Sequence, residues 1–140
     1  MAIMAFTDEF AQAYKDEINN SEAYRQAGKG WKWTVALIAE AEPDKNFPES
    51  KAMYLDLFDG QAREVKLVSP EEASKCDFVI SAPYSRWKQV MKKELDPTRG
   101  MMQGKLKLRG DLPTIIRYQK AAREMVECVA RLPLIFPDEQ

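Results

Sequence analysis

The side chains of this chain that could do chemistry are carboxylates, amines, phenols and two thiols, because its 140 residues include no histidine. Histidine is the commonest general base, the usual partner of a nucleophilic serine or cysteine, and a frequent metal ligand. Acid–base catalysis would therefore depend on carboxylates, lysines or tyrosines.

The carboxylates do not form a pattern typical of catalysis or of a metal site. The closest groups in the sequence are Glu40, Glu42 and Asp44, and the pair Glu71 and Glu72. The first group lies at the predicted end of a strand and the second at a predicted helix N-terminus, where charges are solvated or interact with the helix dipole. We predict no catalytic residue and no metal ligand among them.

The two cysteines and the tripeptide Gly28-Lys29-Gly30 also lack the context of reactive groups. Neither Cys76 nor Cys128 has a partner nearby in the sequence that would activate a thiolate. The tripeptide lacks the spacing of a phosphate-binding loop and the strand that precedes one. We predict no enzymatic activity and no cofactor, and we interpret both cysteines as reduced structural thiols of an intracellular protein.

The charges are distributed unevenly along the chain. Residues 84–131 contain twelve Lys and Arg against five Asp and Glu, whereas the other residues contain nine against seventeen. The basic half is either a solvated surface opposite the core or a surface that attracts anionic lipid headgroups or nucleic acid. The aromatic residues near its cations follow the spacing of apolar helix stripes, so we predict no nucleic-acid partner.

The N-terminal third is predicted to be helical, and a meander of strands follows it. Thr7 and Ser21 are placed to cap two helices, and Gly28 and Gly30 end the second. Alternating apolar residues then predict three antiparallel strands, over residues 31–39, 51–58 and 63–68, with a tight hairpin at Asp59-Gly60. A short element starting at Ser69 leads across the sheet to a fourth strand over residues 77–82.

The C-terminal half is predicted to contain two amphipathic helices on either side of a fifth strand. A helix opening at Pro83 places Trp87, Val90, Met91 and Leu95 on one side and Arg86, Lys88, Lys92 and Lys93 on the other. Leu106 and Leu108 alternate with cations over residues 105–109, the pattern of a strand with one buried face. A single apolar-striped helix is predicted from Asp111 to Leu132.

The segment from Met101 to Asp111 reads Met-Met-Gln-Gly-Lys-Leu-Lys-Leu-Arg-Gly-Asp, with Asp96-Pro97 before it and an apolar helix after it. This ordered set resembles the signature of the sterol carrier protein 2 (SCP2) sterol-binding domain family. A weaker likeness extends over roughly residues 30–130. The resemblance implies an α+β fold in which helices cover one face of a mixed five-stranded sheet and enclose an apolar tunnel. The sheet would comprise the three-stranded antiparallel meander, a crossover to the fourth strand, and then the fifth.

The resemblance also implies non-enzymatic binding, and intracellular transfer, of a fatty acid, acyl-CoA, phospholipid or sterol-like lipid. The residues expected to bind lipid are Trp87, Met91, Met101, Met102, Gln103, Leu106, Leu108, Ile115, Ile116 and Met125. Taken alone, the apolar stripes are typical of an ordinary core. The resemblance is what assigns them to a pocket, whose methionines would adapt to the ligand. Gln103, Arg99 and Tyr118 are candidate partners of a lipid headgroup.

Length and composition predict one globular domain over residues 1–140. The sequence has neither a run of about 18 apolar residues nor the basic, apolar start of a secretory signal, so we expect a cytoplasmic protein. Transient contact with anionic membranes through the basic helix faces is expected, with a monomeric or weakly dimeric state. The alternatives are a protein-interaction or dimerisation module of the same fold and, third, an enzyme acting on lipid thioesters.

Overall fold

Residues 2–140 are described by a computed structural model, in which helices and strands alternate along the chain. The strands are β1 (Ile3–Met4), β2 (Thr34–Glu40), β3 (Lys51–Phe58), β4 (Gln61–Val68), β5 (Phe78–Pro83), β6 (Lys107–Arg109) and β7 (Leu134–Ile135). The helices are α1 (Asp8–Asn19), α2 (Glu22–Ala27), α3 (Pro70–Ala73), α4 (Tyr84–Met91), α5 (Pro97–Met102), α6 (Leu112–Arg117) and α7 (Gln119–Ala130).

The main sheet has five strands in the order β4-β3-β2-β5-β6, which confirms the predicted α+β fold class. Strands β2, β3 and β4 form the antiparallel meander, β5 pairs in parallel with β2 after the crossover, and β6 pairs antiparallel with β5. The meander turns at Asp59 and Gly60, whose φ angles are +49° and +86°. Gly60 suits this position because a Cβ there would approach the carbonyl oxygen of Arg25 to 2.5 Å.

The predicted N-cap residues, Thr7 and Ser21, cap helices α1 and α2 in the structure. The side chains of Thr7 and Ser21 accept hydrogen bonds from the N–H groups of Phe10 and Tyr24, at 3.2 and 3.0 Å. Asp111 caps α6 in the same way by accepting from the N–H of Thr114 at 3.1 Å. These bonds satisfy N–H groups that the first turn of a helix leaves without an intrahelical partner.

The predicted elements differ from the structure in several places. α4 ends at Met91, before the predicted Leu95, β4 begins at Gln61 instead of Arg63, and α5 was not predicted. β2 begins at Thr34 instead of Trp31, and β6 begins at Lys107 because the N–H groups of Lys105 and Leu106 both donate to the carbonyl of Gly100. The predicted helix over residues 111–132 is divided at Tyr118 into α6 and α7. The ring of Tyr118 packs edge-on against Trp31, with 5.2 Å between centroids.

The two faces of the sheet carry apolar clusters of unequal size. One face and the helices α1, α4 and α7 bury the main core, to which β2 contributes Val35 and Ala39. The opposite face carries a small cluster around Ala36, Val79 and Cys76, beside α3. Adjacent residues such as Val35 and Ala36 contribute to different clusters because successive side chains of a strand point to opposite faces of the sheet. The helix-covered face therefore holds nearly all of the large apolar side chains.

The two ends of the described chain pair with each other, a contact that no sequence pattern predicted. Ile3 pairs with Leu134 and Met4 with Ile135, in a parallel two-stranded sheet.

None of the helices within residues 2–140 combines the length and the apolar character that crossing a bilayer requires.

The hydroxyl of Thr98, on α5, is buried without a hydrogen-bond partner. A buried unpaired hydroxyl costs about 1–3 kcal/mol, so Thr98→Val should raise the free energy of unfolding by about 1 kcal/mol. Urea denaturation measures the change. The matched control is Thr114→Val, because the buried hydroxyl of Thr114 donates to Asp111 at 2.5 Å and its loss should destabilise by about 1–2 kcal/mol. Equal destabilisation by both variants would contradict this account.

Candidate functional site

An apolar cavity of about 130 Å³ lies between the main sheet and the helices. The sheet contributes Val35, Leu37, Met53, Leu57 and Ile80, which alternate with residues facing the other side. The helices contribute the aromatic rings Phe10, Tyr14, Tyr24 and Trp87 and the methionines Met91, Met101 and Met125, and the junction between α6 and α7 contributes Tyr118. The wall offers a ligand apolar surface with few polar atoms, so selection inside it depends on shape and burial.

Six of the ten predicted lipid-binding residues line this cavity: Trp87, Met91, Met101, Leu106, Ile115 and Met125. They come from α4, α5, the turn before β6, α6 and α7, and the fold brings them together although they span 39 positions. Trp87 is fixed by its indole N–H, which donates to the carbonyl of Ile38 at 2.9 Å.

The other four predicted residues lie outside the cavity wall. Met102 and Ile116 are exposed, because each directly follows an inward-facing residue on a short helix. Gln103 is an exposed helix cap, and Leu108 is half-buried and packs against the main core. Of the three headgroup candidates, Tyr118 lines the cavity, while Arg99 and Gln103 are exposed. A role for these outer residues in lipid binding stays a prediction.

The N-terminal helices also contribute to the site, which the sequence did not predict. Phe10 and Tyr14 of α1 and Tyr24 of α2 form part of the cavity wall, as do Ala121 and Ala122 of α7. The apolar stripe of α1 was visible in the sequence. A stripe that packs in the core and one that lines a cavity have the same composition, so the pattern carried no signal for the site.

Two tyrosines of the cavity wall are held neutral by burial. Burial raises the pKa of Tyr14 and of Tyr24 above the ordinary value for tyrosine. Burial also raises the pKa of the thiol of Cys128, a core residue that does not line the cavity, despite the neighbouring Arg131. Phenols and a thiol with raised pKa values are poor nucleophiles at neutral pH. In the described residues, no group of three or more cysteine, aspartate and glutamate side chains is arranged to hold a metal ion.

A groove of about 180 Å³, with charged residues in its lining, adjoins the cavity and shares Pro97 and Val126 with it. Its other lining residues are Lys93, Leu95, Asp96, Arg123 and Glu127. Two ion pairs lie there: Lys93 to Glu127 at 2.6 Å and Arg123 to Asp96 at 3.4 Å. Each joins α7 to the linker between α4 and α5, so the groove is bridged by pairs that are partly exposed to solvent.

The C-terminal segment, residues 134–140, holds α4 in place beside the cavity. Asp138 accepts hydrogen bonds from the hydroxyl of Tyr84 at 2.6 Å and from Lys88 at 2.7 Å. Glu139 pairs with Lys88 and Lys92, both at 2.7 Å. Burial alone would raise the pKa of Asp138, but its bonds to Lys88 and Tyr84 outweigh burial and lower it. The ammonium of Lys88 likewise has a raised pKa, because those hydrogen bonds outweigh its burial.

These shifts predict that acid releases the segment. Because the folded pKa of Asp138 is lowered, its stabilising contribution is complete above the unfolded value of about 3.9 and disappears as pH falls through the folded value. The raised pKa of Lys88 extends the contribution to alkaline pH. Asp138→Asn should therefore lower the free energy of unfolding by roughly 1–2 kcal/mol at neutral pH and by much less near about pH 2.

Urea denaturation of both proteins across this pH range measures the difference. The control is Asp44→Asn, an exposed carboxylate outside the segment whose replacement should have little effect at any pH. A difference for Asp138→Asn that does not change with pH would show that the charged pair is not what stabilises the segment.

Comparison with known proteins relates this chain to a protein family. The model of a family described as the SCP-2 sterol transfer family matches residues 12–123. No curated protein matches the chain.

Solved structures with similar folds include relatives and a larger enzyme. A crystal structure of sterol carrier protein 2 is 36% identical, with a TM-score of 0.84 over 91% of this chain and 98% of that one. A solution structure from Thermus thermophilus, described as a possible sterol carrier protein, is 37% identical, with a TM-score of 0.81 over 89% and 87%. A sec-alkylsulfatase of Pseudomonas sp. shares the fold at 18% identity and a TM-score of 0.50, over 80% of this chain and 15% of the sulfatase.

Proposed function

Because this chain belongs to the SCP-2 sterol transfer family, we propose that it binds lipids without chemically changing them and carries them between sites in the cell. The observation that carries the proposal is the apolar cavity between sheet and helices. Each methylene buried there contributes about 0.8 kcal/mol, so an acyl chain can bind tightly with few directed contacts. Residues 1–140 act in this proposal as a single lipid-binding domain.

The cavity volume constrains how a lipid binds. A cavity of roughly 150 Å³ accommodates benzene, so the 130 Å³ found here fits only a small part of an acyl chain or a sterol ring system. The wall must therefore rearrange around a complete lipid. Met91, Met101 and Met125 supply side chains that change shape at low cost, since methionine is unbranched and flexible. A fatty acid, acyl-CoA, phospholipid or sterol-like molecule fits this scheme.

We place the polar end of the lipid in the groove beside Pro97 and Val126. The groove adjoins the cavity, and its Lys93, Asp96, Arg123 and Glu127 present charges of both signs to solvent. Exposed ion pairs contribute only about 0–1 kcal/mol each, so they can exchange partners with a headgroup. An acyl chain entering here would reach the cavity between α7 and the linker that follows α4.

The non-enzymatic role is supported by the chemistry of the wall. The cavity is lined by apolar side chains and by tyrosines, and burial raises the pKa values of Tyr14 and Tyr24. General acid–base catalysis requires a group whose pKa is near the working pH, and these phenols do not meet that requirement. We also propose a cytoplasmic location, since Cys76 and Cys128 are unpaired buried thiols suited to a reducing compartment.

Native mass spectrometry of detergent-free protein, with solvent extraction of any released molecule, tests the proposed function. We expect a fatty acid, acyl-CoA or phospholipid to co-purify with the protein in a stoichiometric amount. If the purified protein is free of lipid, we expect it to take up such a lipid when the lipid is added. A mass that stays free of lipid in both experiments would contradict lipid binding. If the mass then increased with protein concentration, the alternative of a protein-interaction module would take its place.

A further inference from the structure

The cavity wall is rich in thioether sulfur. Of the seven methionines in the chain, four line the cavity: Met53, Met91, Met101 and Met125. They lie on β3, α4, α5 and α7, so they approach the cavity from four separate elements of the fold. We therefore expect an acyl chain that fills the cavity to lie beside at least one of these sulfur atoms along most of its length.

Sulfur in this wall is present as thioethers and not as thiols. Neither cysteine lines the cavity, because Cys128 lies in the main core and Cys76 in the small cluster on the opposite face of the sheet. Burial raises the pKa of both thiols, which keeps them in the unreactive protonated form. A thioether carries no proton, so its reactivity does not depend on ionisation. The methionines are therefore the sulfur groups through which this wall can react with a peroxide.

We propose that the cavity methionines reduce a lipid hydroperoxide that is bound beside them. The inference rests on the proposed function, because the oxidised lipid must occupy the cavity, and it adds one class of ligand that does not leave unchanged. The sulfur attacks the terminal oxygen of the O–O–H group, and the O–O bond breaks. The oxygen stays on sulfur as a sulfoxide, and its proton passes to the alkoxide, so the lipid leaves as an alcohol. Methionine is oxidised and the peroxide is reduced by the same electron pair.

The polar groups of the wall suit such a ligand. Peroxidation of an unsaturated lipid places the O–O–H group partway along the acyl chain, so this group enters the cavity while the headgroup stays outside. The hydroxyl of Tyr14 donates to the carbonyl of Met125 at 3.3 Å, which is long for a hydrogen bond between two oxygen atoms. It can turn to a peroxide oxygen at low cost. This phenol stays protonated because burial raises its pKa, so it is a hydrogen-bond donor to the departing alkoxide.

Binding raises the rate, because the peroxide and the thioether no longer have to meet by diffusion. Effective molarities reach about 10⁵–10⁸ M for groups held in ideal orientation, and a flexible chain in a cavity achieves much less. We expect a bound hydroperoxide to oxidise the cavity methionines at least about a hundredfold faster than free methionine at the same concentration. Each methionine reacts once, so the reaction is stoichiometric until a sulfoxide reductase restores the thioethers.

Two adjacent methionines on α5 provide an internal comparison. Met101 lines the cavity, whereas Met102 does not line it and retains 62% of its accessible surface. Hydrogen peroxide attacks from water, so it should oxidise Met102 before Met101. A hydroperoxide held in the cavity should reverse that order. Because the two side chains are chemically identical, a reversal reports where the peroxide is held.

Incubation with one equivalent of linoleic acid hydroperoxide, in buffer that contains a metal chelator, tests the inference. Peptide mass spectrometry locates the sulfoxides, and chromatography of the extracted lipid measures the hydroxy acid. We expect oxygen on the cavity methionines, little on Met102, and an equal molar amount of hydroxy acid. A bound hydroperoxide recovered intact, or sulfoxide without the matching hydroxy acid, would overturn the inference. The same order of oxidation at Met101 and Met102 with both peroxides would also overturn it.

A variant without the cavity thioethers gives a second measurement. Leucine and methionine have similar volumes, so Met53→Leu/Met91→Leu/Met101→Leu/Met125→Leu removes the sulfur and retains an apolar wall. It should reduce almost no hydroperoxide per bound lipid.

The matched control is Met4→Leu/Met102→Leu, which removes two methionines that do not line the cavity. Counted per bound lipid, it should reduce as much hydroperoxide as the parent does. Equal reduction by the two variants would contradict a role for the cavity methionines. The comparison of Met101 with Met102 in the parent does not depend on the folding of either variant.

Native mass spectrometry with linoleic acid itself separates this inference from the proposed function. Linoleic acid has no O–O bond, so the parent should bind it and keep its methionines unoxidised. Binding of linoleic acid and of its hydroperoxide, with no reduction of the hydroperoxide, would overturn the reduction alone. Failure of the parent to take up either lipid would overturn the proposed function and the reduction together.

Discussion

Replacing Ala122 with phenylalanine should abolish most lipid binding and leave the protein folded. Ala122 lines the cavity from α7 and is half-buried, so an added ring enters space that is already there. A phenyl ring is the size of benzene, which a cavity close to this volume accommodates. If the ring displaces about four methylenes of a bound chain, affinity for a fluorescent fatty acid should fall by at least about a hundredfold.

Fluorescence titration measures the affinity, and urea denaturation shows whether the variant is folded. Filling a cavity usually leaves stability unchanged or raises it by up to about 2 kcal/mol. Ala130→Phe is the matched control, because Ala130 lies on the same helix, is exposed, and does not line the cavity. A folded Ala122→Phe protein with the affinity of the parent would place the lipid elsewhere.

Trp87→Ala should have the largest effect on stability. The indole of Trp87 is buried, lines the cavity and donates to the carbonyl of Ile38, which joins α4 to β2. Truncating a buried tryptophan costs about 3–5 kcal/mol, because the lost contacts leave a larger cavity. We expect the free energy of unfolding to fall by that amount.

The milder variant Trp87→Phe separates packing from hydrogen bonding. It keeps most of the apolar contact and loses the indole N–H, so we expect a smaller loss, of about 1–3 kcal/mol. Thermal or urea unfolding of the three proteins gives both differences. A cost below about 1 kcal/mol for Trp87→Ala would mean that this ring is not part of the packed wall.

The sequence predicted the order of the main elements because each one has a local signal. Thr7 and Ser21 cap the helices that they precede, and the alternating strands around Asp59-Gly60 form the predicted meander. The ordered residues from Asp96 to Asp111 indicated the family, and the family match over residues 12–123 confirms it.

Other features were hidden from the sequence because they depend on distant contacts. The division of the last helix at Tyr118 has no glycine or proline to mark it, and it occurs where the ring packs on Trp31. Strands β1 and β7 have only two residues each, too few to show a period, and Ile3 meets Leu134 across nearly the whole chain.

The candidate site was only partly predictable, since composition does not distinguish a cavity wall from a core. Met101 and Met102 are adjacent and chemically identical, yet only Met101 lines the cavity, because α5 turns the two side chains to different sides. The basic faces were equally ambiguous. Which cations are neutralised depends on partners such as Asp138 and Glu139, about 50 positions away from Lys88.

The most direct test of lipid binding in the cavity is a crystal structure of the protein with a fatty acid brominated near its methyl end. We expect the anomalous signal of bromine between Trp87, Met101 and Met125, with the carboxylate toward the groove at Lys93 and Arg123. A bromine site on the outer surface, or crystals that take up no fatty acid at saturating concentration, would contradict the account.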